Sequence, residues 1–354
     1  MNSFGNALRL SIFGESHGPA LGCTIDGLPA GFKPDWDSVR FELQRRAPRS
    51  SLESTSRSED DEFEIVSGFY NGRFTGAPLT VLFRNKDARS ADYTCSAARP
   101  SHADRAAFIK FHGCNDPRGG GMFSGRMTLP LVFCGALAKL LLNSMKIEVT
   151  SHIAEIGGVK DTAFDPCMIT APAVDRMFPL VDSRNRDAIE AVFSSARQSG
   201  TSVGGAVECA VLGLPVGIGE PFFDSLESVI SHLVFSIPGV HGIEFGSGFA
   251  LCAMSGHEAN DPILPGGRTA SNHSGGINGG LSNGMPLIFR AAFRPVPSIS
   301  RDQDSIDLIT GKPVKVSVAG RHDVCILPRG CAAIEAAAAI AVLDLILQDK
   351  IRYE

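Results

Sequence analysis

The sequence predicts a mixed α+β fold built as one domain. Some short runs alternate apolar and polar residues, as strands do, while other segments repeat their apolar residues at helical spacing. These segments do not follow the regular βαβα order of a doubly wound parallel sheet. Glycine (38) and proline (21) are spread along all 354 residues instead of gathering in a linker, and no repeat of fixed period divides the chain. One domain over 1–354 is therefore expected.

In chain order, residues 8–13 alternate and predict a strand, and residues 34–46 predict a helix opening at Pro34. A strand at 79–83 comes before helices at 129–145 and 184–197. A strand at 203–212, a helix at 222–235 and a strand at 287–293 follow. The last element, CAAIEAAAAIAVLDLIL at 331–347, is alanine-rich and almost uncharged. A helix apolar on most faces has to be covered on most faces, which suits a central helical layer.

Charge and composition exclude several classes of function. With 44% hydrophobic residues, 20% charged residues and a net charge of -5, the chain is of the soluble globular kind, without a basic field for nucleic acid or a membrane surface. No run reaches the roughly 18 apolar residues of a membrane span, and MNSFGNALRL lacks the long apolar core of a signal peptide. The nine cysteines are odd in number and never form Cys-x-x-Cys. They point to reduced thiols in the cytoplasm and against a zinc site or disulfide framework.

Four stretches carry chemistry. SIFGESHGPALG (11–22) contains Gly14-Glu15-Ser16-His17-Gly18, which satisfies the letters of a hydrolase nucleophile elbow. An elbow needs a helix after the serine and an oxyanion loop before it. Here PALGCTIDGLPAG follows as extended chain and turns, and few residues precede it, so attention passes from Ser16 to His17, an imidazole in a glycine-flanked turn able to act as acid or base. His102 stands beside Arg99, Asp104 and Arg105, ahead of the glycine run DPRGGGM (116–122) and of Ser124, Arg126 and Thr128. Arg321, His322 and Asp323 precede the apolar last helix. Arg45, Arg46, Arg49 and Arg57 form a local basic patch which, taken alone, reads as a solvated helix end answered by Glu59, Asp60 and Asp61. Neither DPRGGGM nor SNHSGGINGGLSNG (271–284) fits a Rossmann or P-loop pattern, but both offer bare backbone to a phosphate or flavin edge. Histidines, an aspartate, arginines and glycine loops together describe a pocket for a polyanion with proton transfer inside it.

These stretches resemble a known family. FGESHGPALGCTIDGLPAG, RPSHAD with DPRGGGMFSGR, SNHSGGINGGLSNGMP, and GRHDVCILPR before an alanine-rich helix are similar to four blocks of chorismate synthases, in that order, from about residue 4 to about 348. The resemblance implies a β-α-β sandwich with a helical layer between two antiparallel sheets, a homotetramer, and an anti 1,4-elimination of phosphate from 5-enolpyruvylshikimate 3-phosphate giving chorismate. It also implies reduced FMN as cofactor, with NADPH needed only if the enzyme reduces its own flavin. By motif position, His17 resembles the acid for the departing phosphate, and Arg46, Arg126 and Arg321 resemble the substrate-holding arginines. His102 matches the flavin-facing histidine, Asp323 the aspartate assisting proton removal, and Ser16 and Ser124 serines of the relay. The flavin pocket corresponds to Ser124, Pro238, Gly239, Gly279, Arg294, Pro295, Val296, Pro297, Ser298 and Arg321.

The chain departs from the family pattern at Met122 and Met127, where an arginine and a glutamate are usual, and at Arg294, where a lysine is. Leu52 lies near a usual arginine and Val324 replaces a proline. An active but divergent enzyme is expected, the alternative being an impaired FMN- or phosphometabolite-binding protein on the same scaffold.

Overall fold

The structure, a computed structural model, describes residues 2–48, 61–85, 96–318 and 323–353. Its strands in chain order are β1 (Ser3–Phe4), β2 (Arg9–Gly14), β3 (Ala20–Asp26), β4 (Phe63–Ser67), the hairpin β5 and β6 (Phe69–Tyr70, Arg73–Phe74), β7 (Leu79–Arg84), β8 (Glu148–Ile156), β9 (Val159–Lys160), β10 (Gly205–Leu212), β11 (Val240–Phe245), the hairpin β12 and β13 (Ile277–Asn278, Leu281–Ser282), β14 (Leu287–Phe293), and the hairpin β15 and β16 (Gln303–Ile306, Pro313–Val316). The α-helices are α1 (Trp36–Arg46), α2 (Asp104–Lys110), α3 (Thr128–Ser144), α4 (Arg186–Gln198), α5 (Leu226–Val234), α6 (Gly256–Ala259) and α7 (Leu327–Tyr353).

Two five-stranded sheets face each other across the helices, one ordered β1-β2-β3-β7-β4 and the other β11-β14-β10-β8-β9. Every pairing within them is antiparallel. Helix α3 packs on β2 and β3 of the first sheet, α7 packs on β8 and β10 of the second, and α1, α3, α5 and α7 pack on one another between them. The fold is therefore α+β, a β-α-β sandwich, as expected.

Why α7 lies at the centre follows from its composition. Almost all of 331–347 is buried, and the helix offers no polar face for water. Its few polar groups find partners inside the protein. Asp344 accepts the backbone N–H groups of Ala7 at 2.8 Å and Leu8 at 2.7 Å, so the turn before β2 is fastened to the helix. Glu335 accepts from Ser151 Oγ on β8 at 2.8 Å, fastening the same helix to the second sheet. Gly135 of α3 lets the two helices meet, since a Cβ there would stand 2.2 Å from the Ala336 Cβ. By length and composition α3 and α7 could each cross a membrane, but most of their surface is covered by the rest of the protein.

Glu335 also anchors a buried ion cluster. Arg45 of α1 donates to it through Nη1 at 2.6 Å and Nη2 at 2.8 Å, and Lys139 of α3 reaches it at 2.5 Å. Glu42 joins both cations, at 2.6 Å to Arg45 and 2.9 Å to Lys139, and Arg176 closes the cluster from outside. Burial alone would favour the neutral acid. Lys139, Arg45 and Arg176 outweigh it and hold the Glu335 carboxyl far below its ordinary range.

The expected helices at 129–145 and 184–197 and the four expected strands are present with small shifts of boundary. The first helix begins later than Pro34, because the Asp35 side chain caps it by accepting from the N–H groups of Asp37 and Ser38. The segment 222–235 is helical only over Leu226–Val234, after the Ser225 cap, and Phe222 and Phe223 ahead of it are exposed. Strand β8 was hidden from the alternation rule because its polar residues Ser151 and His152 are buried too, each with internal hydrogen bonds.

Replacing Glu335 leaves Arg45 and Lys139 buried without their carboxylate. Glu335→Gln is expected to lose about 3–5 kcal/mol of stability at pH 7. Because the folded carboxyl lies below its ordinary value of 4.5, the stability it contributes is present above that pH and lost below it. The gap between wild type and variant in urea unfolding should therefore narrow as pH is lowered through about 4.5. A gap independent of pH would contradict the ionised cluster.

Candidate functional site

The site begins where β2 turns into β3. After Gly14 the chain makes a turn that ends in β3, with no helix behind Ser16, so the elbow pattern lacks the element it requires. Asn85, just beyond β7, pins the turn by donating to the carbonyls of Glu15, Ser16 and Gly18, the last at 2.7 Å. Ser16 and His17 are both buried. The Ser16 N–H donates to Gly121 O at 3.2 Å, which ties this turn to the glycine run.

That run is a wall shared by two histidines. Gly119, Gly120 and Gly121 have φ of 59°, 84° and 52°, a backbone that side chains rarely tolerate. A Cβ on Gly119 would lie 2.8 Å from both His17 Nε2 and Ser16 Oγ, and one on Gly120 would lie 3.4 Å from His102 Nε2. Glycine is thus required at 119 by conformation and by space together. The run lets backbone approach His17 from one side and His102 from the other.

His102 is oriented by Asp104. Its Nδ1 lies 2.6 Å from Asp104 Oδ1, so in that assignment Nδ1–H donates to the carboxylate and Nε2 is left toward the glycines. Arg99 grips Asp104 by Nε at 2.8 Å and Nη2 at 2.9 Å, and reaches Ser298 Oγ through Nη1 at 3.3 Å. Burial would raise the Asp104 carboxyl, but hydrogen bonds from Arg99 and His102 hold it well below the usual carboxylate range. A cleft of about 530 Å³, lined by Arg99, Asp104, Phe108, Asn115 and Val316 among others, opens beside this group. Asp116 is also held low, first by its hydrogen bond to Arg118 and to a lesser degree by the charge of His17, which places a carboxylate near that imidazole.

The arginines form the third part. Far from being a solvated helix end, Arg45 and Arg46 are buried, at 2% and 4% exposure. Arg45 belongs to the ion cluster of the helical layer, and Arg46 turns to Asp61, with which it makes an ion pair. Arg126 reaches the other oxygen of Asp61 at 3.0 Å and Asn85 Oδ1 at 3.2 Å, so Asn85 joins the arginines to the Ser16-His17 turn. Asp323 pairs with Arg329 in the first turn of α7, whose charge is also felt at Arg46. Burial, and then the nearby cations Arg126 and Arg329 against the opposing pull of Asp61, push Arg46 below its usual range, though a guanidinium stays charged. Its Nε is buried and has no hydrogen-bond partner among the described residues.

The positions expected to hold a flavin divide. The segment 294–298 leaves β14 alongside the His102 loop: Arg294 N donates to Gly239 O at 2.9 Å, and Arg294 Nη1 donates to Ser101 O at 2.6 Å. Val296 and Pro297 are held by their carbonyls, which accept from Ser202 and Gln303, and Pro295 abuts Gly204. Pro238 precedes Gly239 directly ahead of β11. Gly279 is in the β12–β13 turn, whose next residue abuts Ser225 at the start of α5; these contacts do not join it to His102. The Ser124 hydroxyl caps the 3-10 turn Gly125–Met127 by accepting from Arg126 N at 3.3 Å. Arg321, His322, Arg49, Arg57 and Leu52 lie outside the described residues. Sequence reasoning missed Asn85 and Arg329; neither type stands out at its position, although Arg329 closes the GRHDVCILPR stretch.

As a set, these residues suit a polyanion and a flavin phosphate. Orphaned donors at Arg46 Nε and Arg294 Nε, and a glycine wall with no side chains, are what an anionic ligand and a flat ring system need around them.

Comparison with known proteins agrees with this chemistry. Residues 8–347 match the family described as chorismate synthase. The chain is 43% identical over 353 residues to a chorismate synthase of Chitinophaga pinensis, covering 99% of this chain and 98% of that one. It is 42% identical to one from Korarchaeum cryptofilum, with 98% and 97% covered. A crystal structure of a chorismate synthase superposes with a TM-score of 0.75 at 24% identity, over 98% of this chain and 93% of the other, a likeness of fold.

Gly119→Ala tests the shared wall. The added methyl is expected to displace the His17 ring and the Ser16 hydroxyl and to impose backbone strain of about 1–3 kcal/mol, read as a lowered thermal midpoint together with a moved His17 imidazole resonance. An unmoved resonance would count against the close packing.

Proposed function

The chain belongs to the chorismate synthase family, and from that premise we propose that it converts 5-enolpyruvylshikimate 3-phosphate to chorismate by anti 1,4-elimination, a carbon–oxygen lyase reaction in the shikimate route to aromatic amino acids. The observation that carries the reading is the glycine wall shared by His17 and His102, with the buried Arg46–Asp61–Arg126 group tied to the His17 turn through Asn85.

The substrate carries a phosphate and two carboxylates, and each buried guanidinium offers a planar set of donors to such groups. We assign Arg46 and Arg126, with Arg321, to holding them. We assign His17 to protonating the departing phosphate, with Ser16 supporting it from the same turn; charge developing on a leaving group is worth most to stabilise in a site shielded from water. Asp323, held by Arg329, is the group we assign to assisting loss of the ring proton, with Ser124 beside Arg126 as its relay partner.

The cofactor proposed is reduced FMN, which supplies electron density for a C–H bond too weakly acidic for a side chain to break unaided. His102, oriented by Asp104, would face the flavin, and Arg294 to Ser298, with Pro238, Gly239 and Gly279, would hold it. NADPH enters only if the enzyme reduces its own flavin. Arg294 retains the charge of the usual lysine in a forked shape, whereas Met122 offers no charge at that edge.

Three further features belong to the proposal. A single domain is supported by the helical layer both sheets share. A homotetramer is part of the reading that the family implies, and the exposed Phe222 and Phe223, adjacent in sequence, are apolar surface that a subunit contact would cover. A cytoplasmic location is supported by eight free cysteines among the described residues.

An anaerobic assay with the phosphorylated substrate and chemically reduced FMN decides between this reading and an impaired binding protein: chorismate formation establishes the enzyme, and binding without turnover establishes the alternative. His17→Ala is expected to slow turnover by about 10²–10⁴-fold while FMN titrations stay close to wild type. Wild-type turnover in that variant would remove His17 from the acid role.

A further inference from the structure

We infer that Asp61 is a positioning residue that clamps Arg46 and Arg126 into one fork for the anionic substrate. This rests on the substrate reading above and deepens it.

Two cations at close range repel, and burial strengthens the repulsion. Here both arginines are nine-tenths buried or more, yet they stand on either side of one carboxylate. Asp61 gives a separate oxygen to each: Oδ2 takes Arg46 Nη2 and Oδ1 takes Arg126 Nη1. One negative charge between two positive ones fixes their spacing without cancelling them. Arg46 retains a buried Nε donor with no acceptor among the described residues, which suits an arriving oxyanion.

The backbone shows what holds the clamp in place. Asp61 has φ of 39°, the left-handed region that aspartate enters more readily than most residues but still at a cost. Two residues later Phe63 opens β4, paired with Phe83 of β7, and Asn85 follows β7. The same end of the β4–β7 pair therefore presents Asp61 to the arginines and Asn85 to Arg126 and the Ser16-His17 turn.

The test is Asp61→Asn, which keeps shape and removes charge. Calorimetric titration of the flavin-free protein with 5-enolpyruvylshikimate 3-phosphate should show binding weakened about ten-fold or more, and kinetics with reduced FMN should show KM raised by a similar factor with kcat within about three-fold. Unchanged substrate affinity would overturn the clamp. Tighter binding would overturn it as well, by making Asp61 a competitor that the substrate displaces. Should Asp61→Asn not fold, Arg126→Lys in the otherwise wild-type chain retains the charge but loses the fork, and is expected to weaken the same titration; unaltered binding there overturns the proposal. A wild-type protein that binds the substrate and forms no chorismate defeats the catalytic reading alone, because the titration still reports on the clamp.

Discussion

The carboxylate of Glu335 is the constraint on which the rest of the arrangement depends. It sits in the middle of an apolar helix, where an isolated charge would be untenable, and it is tolerated because Arg45, Lys139 and Ser151 converge on it. Each partner belongs to a different element: α1, α3 and the second sheet. Satisfying one buried charge therefore fixes three helices and a strand relative to one another. Hydrophobic burial alone would leave those helices freer to slide, since alanine surfaces such as that of α7 pack with little registry of their own.

The same three helices deliver the cations of the site. Arg46 follows Arg45 on α1, Arg126 lies in the turn immediately before α3, and Arg329 is in the first turn of α7. Anchoring and the proposed binding role are thus divided between neighbouring residues. Arg45 is spent inside the layer, and Arg46, equally buried, turns to Asp61 instead. First-sheet groups supply what the helices lack. Asp61 ahead of β4 and Asn85 after β7 bring carboxylate and amide to arginines they do not follow in sequence, and the Ser16-His17 turn is held by the same Asn85.

Much of this was legible in the residues. The alternating runs and the alanine-rich last helix pointed to the α+β class, and the layered sandwich was implied by the ordered blocks shared with chorismate synthases. The stretches around His17, His102 and the glycine run were visible because glycine and histidine are chemically conspicuous in such company. What stayed hidden was the fate of charges. Arg45 and Arg46 look alike in sequence and resemble a solvated helix end, because nothing local announces that Glu335, 290 residues away, will bury one of them. Strand β8 was hidden for the same reason, its buried Ser151 and His152 being answered by Glu335 and Glu208 from distant parts of the chain. Long-range pairing of polar groups is the information that periodicity does not contain.

Electrostatic balance explains why a departure such as Met122 can be compatible with the site. Among the described residues, Arg46, Arg126 and Arg329 stand against Asp61 and Asp323, so internal pairing leaves the group cationic. A ligand bearing several negative charges meets an excess of donors there even when one peripheral guanidinium is missing. The pairing also limits what that excess costs, since each arginine already has an acceptor and is held in a defined rotamer before any ligand arrives. On the proposed reading, preorganisation of this kind puts the burden of affinity on the geometry of the buried arginines and leaves position 122, the half-buried residue after Gly121, freer to vary.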